Sequence, residues 1–118
     1  MKVRRIVTNI ETRDPAAAKS FYSDILGLEV LMDHGWIVTL GSNDLMQTQV
    51  SFAQEGGSRT PVPALSVEVD DVDEAFTMMT AAGFEVSYGP ADEPWGVRRF
   101  YVRDPFGTLV NIVSHRTR

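Results

Sequence analysis

The chain has 118 residues, 43% hydrophobic and 23% charged, the balance of a single globular domain with a sizeable core. A net charge of -5 with no Lys/Arg run argues against nucleic acid as a partner. The absence of cysteine excludes disulfides, thiolate metal sites and cysteine nucleophiles, and no stretch approaches the roughly 20 apolar residues of a membrane span.

The opening MKVRRIVTNIETRD is broken by Asn9, Glu11 and Arg13 and holds no apolar run of signal-peptide length. With the missing cysteines, this leads to the expectation of a soluble, cytoplasmic protein. Residues 3–11 mix β-branched and polar side chains as a half-buried strand does. A helix is expected over RDPAAAKSFYSDILG, with Asp14 as cap, Pro15 at the first helical position and Gly27 as the stop. Ala18, Phe21, Tyr22 and Ile25 would form its core face. Strands are expected at 28–32, 36–40 and 46–53, with His34 in a DHGW turn.

QEGGSRTPVP, residues 54–63, has the Gly and Pro content of a linker. ALSVEVD (64–70) then reads as a strand. DVDEAFTMMTAAG (71–83) reads as a helix capped by Asp71, with Glu74 in the capping-box position and Gly83 beyond its end. Further strands are expected at 84–88, 98–103 and 108–114. GLEV (27–30) and GFEV (83–86) follow the two helices in the same way, so the order β-α-β-β-β occurs twice. An α+β fold of two βαβββ modules, 3–53 and 64–114, is expected within one domain covering 1–118.

IVTNIETRDPAAAKSFYSDILGLEVL and GVRRFYVRDPFGTLVNIV resemble the vicinal oxygen chelate superfamily of glyoxalases, bleomycin-resistance proteins and ring-cleaving dioxygenases. The resemblance implies that paired modules shape a half-open barrel cleft, and that the protein is a homodimer. Enzymes of the superfamily carry His, Gln or Glu metal ligands at four inward strand positions. Carried over, these fall on Val7, Gln49, Ala64 and Asn111, with Gln47 as the alternative to Gln49. Two of the four have no donor and two offer neutral amides, a poor set for zinc, nickel or iron. No metal and no cofactor is therefore expected.

Asn111 interrupts the apolar strand GTLVNIVS, and an amide buried there needs a partner: a ligand, a water or another protein group. Period-two alternation directs Asn9, Gln47, Gln49, Glu68 and Asn111 toward one space. They read either as a pocket with neutral hydrogen-bonding groups or as amides that satisfy one another. Trp36, Trp95 and Tyr101 could stack on a planar or partly apolar ligand, or pack in a core or an interface. Of Arg98 and Arg99, alternation turns one inward; Arg99 is the ligand candidate, and an exposed arginine would pair with Asp92 or Glu93. Glu68 is a weak candidate for a general base, with no partner evident nearby. The expected function is metal-free binding of a small molecule, as in bleomycin-resistance proteins that sequester a drug or toxic metabolite. The alternative is a metal- or Glu68-dependent lyase, isomerase or dioxygenase.

Overall fold

A computed structural model describes residues 8, 10–42 and 51–115. In chain order it contains a short helical segment, strands β1 (Glu29–Asp33), β2 (Val38–Gly41) and β3 (Leu65–Glu68), helix α1 (Val72–Ala81), and strands β4 (Val86–Asp92), β5 (Val97–Arg103) and β6 (Leu109–His115). This is the mixed α+β architecture expected. β1 and β2 form an antiparallel hairpin, and the other strands form a sheet in the order β3-β6-β5-β4. Among the described residues the two sheets are separate and do not close into a barrel. The strand candidates at 3–11 and 46–53 fall largely outside the described residues, and 51–53 are not in a strand.

Helix α1 follows from local signals. The Asp71 side chain accepts from the Glu74 N–H at 3.0 Å, and Asp73 and Glu74 place negative charge in the first turn. Gly83 takes φ of +85 just past the end. Val72, Ala75 and Met79 are buried at helical spacing, and Phe76 meets Phe100 edge-on at 5.5 Å. Against this face lie Phe100 and Val102 from β5 and Val110 and Ile112 from β6, all fully buried.

The first helical segment departs from expectation. It is a 3-10 turn over Pro15–Ala18 that passes into a π turn over Lys19–Ser23, and Asp14 makes no side-chain cap. Phe21 and Tyr22 are adjacent in sequence and both buried. Phe21 meets Phe84 edge-on at 5.0 Å and Tyr22 at 4.8 Å.

Arg98 ties α1 to the sheet, donating to Asp73 at 2.9 Å and to Asp92 at 3.3 Å. The hydrogen bond from Arg98 holds the Asp73 carboxyl below its ordinary range. A carboxylate depressed in the folded state stabilises the fold above its unfolded pKa of about 4, and the contribution fades as pH falls through the folded value. Urea midpoints of the wild type and Asp73→Asn are expected to differ near pH 6 and to converge below about pH 3. Parallel curves over that range would show that the pair adds nothing to stability.

Candidate functional site

Alternation along β3, β5 and β6 divides the four-stranded sheet into two faces. Leu65, Val67, Phe100, Val102, Val110 and Ile112 belong to the core under α1. The opposite face carries a row set by register: Ser66 beside Asn111, Asn111 beside Tyr101, and Tyr101 beside Tyr88. In the next row Glu68 lies beside Val113, which lies beside Arg99.

A cleft of about 740 Å³ opens between the β1–β2 hairpin, the first helical segment and the edge strand β3. Leu31, Trp36, Leu40, Leu65 and Phe106 are among its apolar walls, with Thr12, Thr39 and Ser66 as neutral polar groups. Glu11 is the only charged side chain among its described lining residues. Trp36 is 77% exposed and Leu31 54%, so apolar surface is presented to solvent here instead of being packed away. Of the expected ligand-binding residues, Trp36 lines this cleft; Asn9, Gln47 and Gln49 lie outside the described residues.

Asn111 is 7% exposed. Its Nδ2 donates to Ser66 Oγ at 3.1 Å, while its Oδ1 is buried with no partner among the described residues. Ser66 reaches the cleft. An unsatisfied buried acceptor costs about 1–3 kcal/mol. Asn111→Leu removes it at the loss of one hydrogen bond to an exposed serine, and is expected to stabilise the protein by about 1 kcal/mol in urea unfolding. A clear destabilisation would mean that Oδ1 has a strong partner, such as an ordered water.

Arg99, Tyr101 and Trp95 meet in a second cluster. Arg99 and Glu93 are both buried and their ion pair closes at 2.7 Å. The inward arginine is thus the one that takes Glu93, against the expectation that this carboxylate would serve an exposed arginine, because the turn after β4 folds Glu93 back under the sheet. Ser58 and Tyr88 hydroxyls reach the same carboxylate at 3.1 Å. The guanidinium lies 5.0–5.4 Å from the ring centres of Tyr88, Trp95 and Tyr101. Tyr101 is fully buried, whereas Trp95 is 52% exposed. None of these three expected ligand residues is among the described residues lining the cleft.

Glu68 has a partner after all: His115 Nδ1 lies 2.6 Å from its Oε1, with both side chains well exposed. The parallel pairing of β3 and β6 places the ends of the two strands together, a proximity that local sequence does not signal.

Residues 5–112 match the model of the Glyoxalase/Bleomycin resistance protein/Dioxygenase superfamily. The chain belongs to this superfamily. Among solved structures it is similar to TioX from Micromonospora sp. ML1, at 26% identity and a TM-score of 0.63, over 96% of this chain and 97% of that one. It is also similar to a lactoylglutathione lyase from Agrobacterium tumefaciens, at 25% identity and a TM-score of 0.63, over 96% and 92%. TnmS3, an antibiotic-binding protein from Streptomyces sp. CB03234, shares the fold at 22% identity and a TM-score of 0.66, over 98% and 96%. No curated protein sequence matches the chain.

Metal-dependent enzymes of the superfamily need oxygen or nitrogen donors on their inward strands. Of the four positions carried over, Ala64 and Asn111 are described: one has no donor, and the other offers a neutral amide oxygen alone, its nitrogen being on Ser66. Among the described residues no three His, Asp or Glu side chains come together as a metal site. Neither described position supplies the imidazole or carboxylate that zinc, nickel or iron prefers. Val7 and Gln49 lie outside the described residues. Sequence reasoning missed Ser66 as the partner of Asn111, and missed Leu31, Leu40 and Phe106 as cleft walls. The exposed apolar run in β1 was the available signal for Leu31.

Proposed function

We propose that this superfamily member binds a small apolar or planar molecule in the cleft beside β3, without a metal, and sequesters it as a drug or toxic metabolite. The observation that carries this reading is the cleft itself, with apolar walls, neutral hydroxyls and the exposed Trp36. Its fold is shared by an antibiotic-binding protein and by a lyase, so fold alone does not choose between binding and catalysis; the apolar, neutral lining of the cleft supports binding. β1 leaves Val30, Leu31 and Met32 exposed, a contiguous apolar stretch of the kind that marks an interaction surface. A second copy of the chain, covering that hairpin in a homodimer, is part of the proposal.

Nile red, neutral and planar, serves as the probe. Its fluorescence is expected to rise on binding, and Trp36→Ala to weaken binding by about tenfold, near 1.4 kcal/mol. Sedimentation equilibrium of the same samples reads the dimer. One divalent metal held tightly per chain, or unchanged affinity in Trp36→Ala, would overturn the proposal. The Glu68–His115 pair is the one observation that favours a Glu68-dependent reaction instead, since histidine and carboxylate together can relay a proton. Turnover abolished by Glu68→Gln would establish that alternative.

A further inference from the structure

Residues 56–60 are fastened onto the sheet face opposite α1, and the fastenings come from that face. Arg99 Nη1 donates to the Gly56 carbonyl at 2.7 Å and Nη2 to the Gly57 carbonyl at 3.3 Å. The Tyr101 hydroxyl lies within hydrogen-bond distance of the Gly56 oxygen and of Thr60 Oγ1, at 3.2 and 2.7 Å. Ser58 Oγ reaches both Glu93 oxygens at 3.1 Å. Seating this segment takes Gly57, Ser58 and Arg59 into the left-handed region, with φ of 84, 48 and 62, a conformation that serine and arginine adopt reluctantly. On the face beneath, three aromatic rings surround the Arg99 guanidinium, and Gly57 leaves no room for a Cβ beside the Trp95 ring. In the same row, the neighbouring Asn111 keeps an oxygen without a partner among the described residues.

The geometry points to residues 56–60 as a displaceable strap. Its Gly56 carbonyl fills a subsite that a neutral, planar, carbonyl-bearing ligand takes over when the strap lifts. The oxygen class follows from the donors, since Arg99 and Tyr101 both address the Gly56 oxygen. Neutrality follows from Glu93, which already balances the Arg99 charge at 2.7 Å. Planarity follows from the rings of Tyr88, Trp95 and Tyr101. The row Tyr88–Tyr101–Asn111–Ser66 runs across the sheet from this subsite to Ser66, which lines the cleft. The inference rests on the ligand-binding reading above and adds the chemistry of the ligand and a closed state of the site.

Two variants loosen the strap without altering the sheet. A Cβ at Gly56 would collide with the Pro61 carbonyl and the Tyr101 hydroxyl, so Gly56→Ala cannot seat; Ser58→Ala removes the link to Glu93. 2-Naphthamide is the probe, naphthalene its comparator without the carbonyl, and amide exchange by NMR reports the strap. In the wild type, the Gly56 and Thr60 amides are expected to exchange faster than those of Phe100 and Ile112, by sub-global opening. Both variants should bind 2-naphthamide more tightly by about fivefold or more, since the cost of opening is removed, with naphthalene unchanged. Strap amides that exchange only with global unfolding overturn the proposal, as does equal or weaker 2-naphthamide binding in the variants. Should Gly56→Ala lose α1 protection, Ser58→Ala decides alone. Shifts confined to Leu31, Trp36 and Leu65, with variants binding like the wild type, leave the cleft reading standing and remove the strap. Failure of all three proteins to bind 2-naphthamide overturns the carbonyl subsite, while the effect of Trp36→Ala on Nile red binding separately decides the cleft, since Trp36 lines the cleft and not the subsite.

Discussion

Replacing Arg99 with methionine is expected to lower folding stability by about 3–5 kcal/mol, the usual result of stranding one member of a buried ion pair. Glu93 is 5% exposed and receives Arg99 Nε at 2.8 Å besides the Nη2 contact. Without Arg99, its carboxylate keeps only the Ser58 and Tyr88 hydroxyls, too little to offset burial of a charge. The Gly56 and Gly57 carbonyls lose their donors in the same step. Urea unfolding of the wild type, Arg99→Met, Glu93→Met and the double variant checks this. The double variant should recover much of the loss, because an apolar pair of similar volume tolerates burial well, and the coupling should exceed about 1 kcal/mol. A single-variant loss below about 1 kcal/mol would mean that water reaches Glu93 as soon as Arg99 is gone.

That network also shows where sequence reading stops. Helix α1 and strands β5 and β6 were legible almost to the residue, because their signals are local: a capping Asp71, apolar spacing, a glycine beyond the helix end. The first helical segment was legible in position but not in type. Residues 15–23 form 3-10 and π turns where a capping aspartate, a proline at the first position and apolar spacing signal an α-helix. Asn111 stood out as an amide inside an apolar strand. Ser66, its partner, is 45 positions away and is brought in by the parallel pairing of β3 with β6, which no local pattern encodes. Glu93 read as one more charge in a Pro- and Gly-flanked loop, since a turn leaves no periodicity from which burial can be inferred. The same non-local pairing hid the partner of Glu68.

Asp104→Ala is expected to cost about 3 kcal/mol, from three hydrogen bonds worth roughly 1 kcal/mol each. Asp104 is buried; its Oδ1 accepts the Phe106 and Thr108 N–H groups at 2.9 Å, and its Oδ2 accepts the Tyr22 hydroxyl at 2.8 Å. The first two shape the β5–β6 turn, which Gly107 completes at φ of +78. The third fastens that turn to the first helical segment. Burial, reinforced by the Asp104 carboxylate, pushes the Tyr22 phenol well above its ordinary range. A group raised in the folded state stabilises below its unfolded pKa of about 10, and the contribution is lost only in strong alkali. Tyr22→Phe should therefore cost about 1–2 kcal/mol at pH 7, with the difference from wild type shrinking above about pH 10. Both Tyr22 and Phe106 line the cleft, so Asp104 holds one of its corners. Asp104→Asn keeps an acceptor for the turn and should retain most of the stability. If its Nile red affinity nevertheless falls, the Asp104–Tyr22 link positions the cleft wall; if affinity is unchanged, that link's role is confined to the fold.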